Sequence, residues 1–228
     1  MTVEIKLIPI LQDNYAYAVI DNETNSCAIV DPGEAGPVIS FLDEHKLQLE
    51  AILLTHHHGD HVAGVPALKE KYQAPVYGPE KDRPRLPFLD HGYAEGDTYS
   101  FAGHDAKIME TPGHTSNHII YWFRDLDALF SGDTLFSMGC GRLFEGTADE
   151  MWMSLNKIKA LPNRTKIYCG HEYTLSDGKF CTSIEPDNQD LLERLAEAEE
   201  LRKQGLPTLP VTLETEKKTN AFLRAGSA

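Results

Sequence analysis

The residues best able to do chemistry crowd into Thr55-His56-His57-His58-Gly59-Asp60-His61, where four imidazoles and a carboxylate fall within six positions. An apolar run, Ala51 to Leu54, stops directly before them. Alternate residues of an extended segment point the same way, so His56 and His58 can bind one metal ion. Asp60 and His61 follow at once and must point elsewhere, which suggests a second ion beside the first. A lone histidine is usually a satisfied core or surface residue. A flexible histidine tract would be neither preceded by strand-like residues nor interrupted by an aspartate. The spacing reads as a metal site.

Further ligand types recur at the ends of apolar runs. Lys107 to Glu110 leads into Pro112-Gly113-His114, Ala128 to Ser131 into Gly132-Asp133, and Lys166 to Cys169 into Gly170-His171. Glycine lets the backbone turn sharply and leaves the next side chain at the strand end. Four strand ends meeting at one edge would gather His56, His58, Asp60, His61, His114, Asp133 and His171. Seven ligands exceed one tetrahedral zinc but suit two ions with a shared carboxylate. Nitrogen and oxygen donors fit zinc best, and iron or manganese also. Asp60 and Asp133, the carboxylates of the set, are expected to serve catalysis too. Asp31 has two readings, a plain Asp-Pro-Gly turn or a partner that orients a ligating histidine. Cys140 has no activating base in view. His45, His57, His91, His104 and His118 lack the strand-end context and read as surface or packing residues, and Lys179 as a solvated lysine.

The elements that must position these residues follow from periodicity. Val3 to Leu11, Tyr15 to Ile20 and Cys27 to Val30 read as a β-meander, with a turn at Gln12-Asp13-Asn14. A helix over 36–45 and a buried strand over 51–54 lead to the histidines, and a helix over 65–72 and a short strand over 75–77 follow. Residues 79–97, rich in proline, glycine and charge, read as a loop. Strands are expected at 98–101, 106–110, 118–123, 128–131 and 166–169. Thr147 to Glu150 is a capping box opening a helix, and Asp187 can cap a longer helix stopped by Gly205 and Pro207. Residues 214–223 suggest one more helix. Two blocks of strands, each with helices, hint at a duplicated half.

Composition narrows the function. A chain of 228 residues suffices for one large domain, or for a large one plus an appendage. No apolar stretch approaches the ~20 residues of a membrane span. The start, Met1 to Lys6, lacks the features of a secretory signal, so a cytoplasmic protein with four free cysteines is expected. The net charge of −14 argues against a nucleic-acid partner. Residues 1–139 carry 9 basic against 21 acidic side chains, and residues 140–228 carry 12 against 14. An anionic substrate should therefore be held mainly by the second part.

Thr-His-His-His-Gly-Asp-His, Pro-Gly-His, Gly-Asp-Thr-Leu-Phe and Gly-His-Glu-Tyr together resemble the metallo-β-lactamase superfamily. Within it the chain resembles glyoxalase II, the hydroxyacylglutathione hydrolases, from about residue 3 to residue 224. The segment Gly139 to Thr147 carries most of that likeness, with Gln12 to Tyr15 and Thr219 to Arg224 beside it. The resemblance implies an α+β fold, a four-layer αββα sandwich with a C-terminal helical appendage. Residues 1–165 would form the sandwich, and 166–228 the last strand, with His171, and a shortened helical region. It assigns His56, His58 and His114 to one ion, Asp60, His61 and His171 to the other, and Asp133 to both. Arg142, Phe144 and Tyr173 match positions that contact glutathione, with Phe144 standing where a tyrosine is frequent. Members usually continue into an Arg-x-x-Lys-Asp segment that grips the glycyl carboxylate, which implies a weaker hold on the peptide here. The implied reaction is hydrolysis of S-D-lactoylglutathione to glutathione and D-lactate by a metal-bridging hydroxide, in a monomer that detoxifies methylglyoxal. A lactonase is the rival enzyme. A β-lactamase would need an export signal, a nuclease would need a basic surface, and a zinc-stabilised binding protein would leave no coordination position open.

Overall fold

The computed structural model of the chain describes residues 3–226. The first half alternates strands and helices: β1 (Val3–Ile10), β2 (Asn14–Asp21), β3 (Ser26–Val30), α1 (Ala35–His45), β4 (Gln48–Leu53), α2 (Gly59–Val62), α3 (Val65–Tyr72), β5 (Val76–Pro79) and β6 (His91–Tyr93). These six strands form one sheet in sequence order, antiparallel through β3 and parallel from β3 to β6. The alternation of β2 explains the layering. Tyr15, Tyr17 and Val19 join one core while Ala16, Ala18 and Ile20 join another, so the strand is covered on both faces. On the outer face Val38 and Leu42 of α1 and Val65 and Leu68 of α3 close over the even-numbered set.

The second sheet lies against the inner face. It comprises β7 (Thr98–Phe101), β8 (His104–Glu110), β9 (Ile119–Phe123), β10 (Ala128–Gly132), β13 (Lys166–Cys169) and β14 (Val211–Thr212), and a small hairpin, β11 (Leu135–Phe136) with β12 (Gly139–Cys140), follows β10. Between β12 and β13 runs α4 (Ala148–Lys159), opened by the Thr147–Glu150 capping box. Tyr17 packs on Phe130 at 5.7 Å and edge-on to Tyr168 at 5.4 Å, joining the two sheets. Met151, Leu155 and Ile158 of α4 share that core. The order is helix, sheet, sheet, helix, an αββα sandwich. Each sheet begins with an antiparallel meander and then adds a parallel strand, β4 beside β3 and β13 beside β10.

The rest is helical: α5 (Thr174–Ile184), α6 (Gln189–Lys203), α7 (Leu213–Thr219) and α8 (Ala221–Arg224). Met138 of the hairpin packs with Cys181 and Leu191 beneath it. Several expectations need correction. The stretch 79–97 holds a 3-10 turn, Glu80–Asp82, and the edge strand β6, because Tyr77 and Gly78 of β5 have free pairing edges for His91 and Gly92. Lys166–Cys169 is not the last strand, since β14 pairs beyond it. Asn188, and not Asp187, caps α6, its side chain accepting from the Leu191 N–H. The terminal helix is two, broken at Asn220, whose side chain caps α8. Helix α5 carries no signal in the periodicity of the sequence. Among the described residues no helix is long and apolar enough to cross a membrane.

Candidate metal centre

Four strand ends deliver the ligand types. β4 runs into Thr55 and His56, α2 carries Asp60 and His61 with His58 as its N-cap, and the turns after β8, β10 and β13 present His114, Asp133 and His171. These strand ends bring the side chains together. His58 Nδ1 lies 3.0 Å from His114 Nε2. Asp133 Oδ2 lies 3.3 Å from both His114 Nε2 and His171 Nε2, and Asp133 Oδ1 3.3 Å from His61 Nε2. Asp60 Oδ2 is 3.4 Å from His171 Nε2 and 3.8 Å from His61 Nε2. Among the described residues three donor groups are compact enough for an ion, two of them made wholly of the expected ligands: His56, His58 and His114, and Asp60, His61 and His171.

Divalent cations fit this donor set. His56 Nε2, His61 Nε2 and Asp133 Oδ1 are buried with no hydrogen-bond partner, a costly arrangement unless something else satisfies them. The opposite ring nitrogens are taken, which turns the free ones inward. His114 Nδ1 donates to the Arg142 carbonyl at 2.9 Å, His61 Nδ1 faces Asp31 at 3.0 Å, His171 Nδ1 faces Asp13 at 3.2 Å, and His56 Nδ1 faces the Thr55 hydroxyl at 3.0 Å. Asp31 also accepts from the Thr55 N–H at 2.8 Å and the Thr55 hydroxyl at 2.7 Å. These contacts favour the orienting reading of Asp31. In the third compact group, Asp31 with His56 and His61, the carboxylate is already engaged by Thr55 and His61.

The two groups differ in charge. Burial holds His56, His58 and His114 below the ordinary imidazole value, leaving them neutral. Burial opposes a charge on His61 and His171 too, but Asp133 and its fellow carboxylates overcome it, lifting His61 well above the usual value and His171 to about 9. A cation entering there displaces those protons.

The mouth of the site is a cavity of about 850 Å³, whose wall joins His58, Asp60, His114, Asp133 and His171 to Arg142, Phe144 and Tyr173. Tyr173 stacks on His171 at 4.6 Å and 9°. The exposed Phe144 ring stands edge-on to His114 at 5.2 Å. Burial pushes the Cys140 thiol up to about 12, so it is no thiolate. His45 and His91 are exposed and stacked on Phe41 and Tyr77. Lys179 is exposed on α5.

Three groups escaped sequence reasoning. His118 is fully buried, in keeping with the packing reading, but it also serves the site: its Nε2 accepts from the Asp133 N–H at 3.1 Å, and its ring stacks on His56 at 4.9 Å. Asn14 donates to Asp60 Oδ2 at 2.9 Å, whereas in sequence the Asp-Asn pair marks only a turn and part of the family likeness. Asp177 of α5 lines the cavity with one oxygen buried and unpartnered, and burial pushes its carboxyl up to about 7. No periodicity marks any of the three.

Known proteins define the class first. Residues 12–171 match the metallo-β-lactamase superfamily, and residues 172–228 match the hydroxyacylglutathione hydrolase C-terminus. A hydroxyacylglutathione hydrolase from Rhodopseudomonas palustris is 49% identical over 225 residues, 99% of this chain and 88% of that one. The chain belongs to the hydroxyacylglutathione hydrolase family. Among solved structures, the BLEG-1 B3 metallo-β-lactamase aligns at a TM-score of 0.75 and 26% identity, covering 96% of this chain and 99% of its own. A protein crystallised in a di-iron-bound form aligns at 0.69 and 25% identity, covering 97% of this chain and all (100%) of its own.

Proposed function

We propose that this chain hydrolyses the thioester of 2-hydroxyacylglutathione, S-D-lactoylglutathione being the reference substrate, with two divalent ions held by the seven ligands. The carrying observation is the single cavity whose wall holds both the ion-facing side chains and Arg142, Phe144 and Tyr173. His56, His58 and His114 would hold one ion, Asp60, His61 and His171 the other, and Asp133, within 3.3 Å of imidazoles from both groups, would reach both. Bound there, the pair supplies an acidified water and a Lewis acid for the carbonyl oxygen.

The remaining work falls to this chain's own groups. Arg142 offers a fixed positive charge to the peptide carboxylates. Burial pushes the Tyr173 hydroxyl up to about 12, so at neutral pH it keeps its proton and can donate a hydrogen bond. Phe144 contributes an apolar edge and no hydroxyl. Zinc, iron and manganese all suit these donors, and the di-iron relative supports iron as one occupant.

The test is hydrolysis of S-D-lactoylglutathione, an acyl-homoserine lactone and a β-lactam, with metal content measured on the same sample. We expect kcat/KM for the thioester to lead by at least ~100-fold, about 2.7 kcal/mol. A lead for the lactone or the β-lactam replaces this reading.

A further inference from the structure

A second set of charged side chains flanks the His58–His114 side of the cavity and has no part in the proposed chemistry. Asp82, fully buried at the end of the 3-10 turn, collects donors from three directions. His57 Nδ1 lies at 3.2 Å, Asn117 Nδ2 at 2.6 Å and Arg85 Nε at 3.1 Å, with Arg85 Nη2 also in contact. Arg85 then continues outward, Nη1 donating to Glu145 Oε1 at 2.6 Å. The second Glu145 oxygen accepts from the Ser116 N–H at 2.8 Å. Burial works to raise the Glu145 carboxyl, but the Ser116 amide and the Arg85 guanidinium hold it down at about 2.

The chain positions of these residues matter more than their number. His57 sits between His56 and His58, Ser116 and Asn117 lie just past His114, and Glu145 follows Phe144. The lip Gly141–Thr147, which bears Arg142 and Phe144, is otherwise held by main-chain contacts, the shortest of them the Arg142 carbonyl accepting from His114 Nδ1 at 2.9 Å. Its Phe144 and Gly146 N–H groups reach the His114 and Gly113 carbonyls at 3.3 and 3.0 Å, and Gly141 reaches Thr134 at 3.3 Å. Two of these three lie at the long end of hydrogen-bond lengths. Leu143 and Phe144 are 46% and 63% exposed, so apolar burial does not hold the lip either. By contrast a fully buried carboxylate with its donors in place is expensive to disturb.

We infer that Arg85 and Glu145 are positioning residues, a clamp that ties the Gly141–Thr147 lip to the buried Asp82 and so sets Arg142 and Phe144 over the cavity. Only the kinetic consequence rests on the proposed thioester reading. The test compares Arg85→Ala, Glu145→Gln and the double variant with the parent. Amide hydrogen exchange at Phe144 and Gly146 should quicken at least ~10-fold in each single variant (about 1.4 kcal/mol), while the amides of β4 stay as they were. The double variant should be no worse than the worse single one, because both break the same tie. KM for S-D-lactoylglutathione should rise ~10-fold (about 1.4 kcal/mol) with kcat little changed. KM for a lactoyl thioester without the peptide should not move. Unchanged lip exchange overturns the clamp whatever the activity, and an equal KM rise for both thioesters overturns its part in recognition. A parent inactive on both thioesters retires the proposed function, while exchange still decides the clamp. Should Arg85→Ala fail to fold, Glu145→Gln, which leaves Arg85 on Asp82, carries the same readouts alone.

Discussion

Asp133 stands within 3.3 Å of His61, His114 and His171, so under the two-ion proposal its carboxylate would be the shared ligand. Asp133→Ala should cut kcat by at least ~100-fold, the scale of losing a principal electrostatic group, and lower the metal content below two ions per chain. Full activity with one tightly held ion would end the two-ion reading. Cys140 makes the opposite prediction. With its thiol pushed up to about 12 by burial, Cys140→Ala should keep turnover within ~10-fold, and an acyl group trapped on its sulfur would overturn the metal-based mechanism. The ligand types were legible because several scarce side chains share a short motif or follow glycine at a strand end. His118 and the Asp82–Arg85–Glu145 chain were not, since each acquires its partners only when loops distant in sequence meet. A histidine opening an apolar run looks like any other packing residue until Asp133 is placed against it.

At the scale of elements, the meander, the crossover helices and the capped α4 all announce themselves through period and capping residues. α5 does not. Its buried positions are Thr174, Gly178 and Cys181, a stripe at helical spacing made of small or polar residues, so no amphipathic signal reaches the sequence. β6 is equally silent, being three residues on a sheet edge with His91 exposed. The strand-end glycines carry a testable requirement. A methyl group on Gly170 would sit 2.5 Å from Asp133 Oδ1 and 2.6 Å from His61 Cε1, both side chains of the proposed ligand set. Gly170→Ala should therefore weaken metal retention by ~10-fold or more, the scale at which supporting contacts act on a metal site. Chelator titration measures it, and parent-like retention would show that the site can shift to make room.

Across the whole molecule, sandwich and helical region are joined through the β11–β12 hairpin. Glu216 of α7 is fully buried there, accepting from the Met138 N–H at 2.8 Å and Asn220 Nδ2 at 2.9 Å. Burial pushes its carboxyl up from 4.5 to about 7. The folded chain thus keeps a proton that the unfolded chain loses above about pH 4.5, and stability falls as pH rises through the window from there to about 7. The shift corresponds to roughly 3 kcal/mol. Glu216→Gln mimics the protonated form and should escape this loss. Urea unfolding at pH 5 and pH 8 should show the variant gaining about 2–3 kcal/mol on the parent at the higher pH. An equal difference at both would mean that Glu216 does not titrate in that window. The net charge of −14 was legible from composition, but this buried acid was not, because a glutamate in a charged helix gives no hint of which face turns inward.

His171 closes the metal centre against Asp13 and Asn14, side chains that precede it by 158 and 157 residues. Tyr15 of β2 likewise donates to the Gly170 carbonyl at 2.8 Å. Synthesis therefore delivers the two halves of the site at different times. A ribosome has already released His56, His58, His114 and Asp133 when β13 is still in its exit tunnel, so under the two-ion proposal the Asp60–His61–His171 group would stay incomplete until then. Nascent chains stalled before and after His171 emerges should differ in chelator-resistant metal, with the second ion arriving only in the longer ones. Equal retention in both would show that the centre matures without its last ligand.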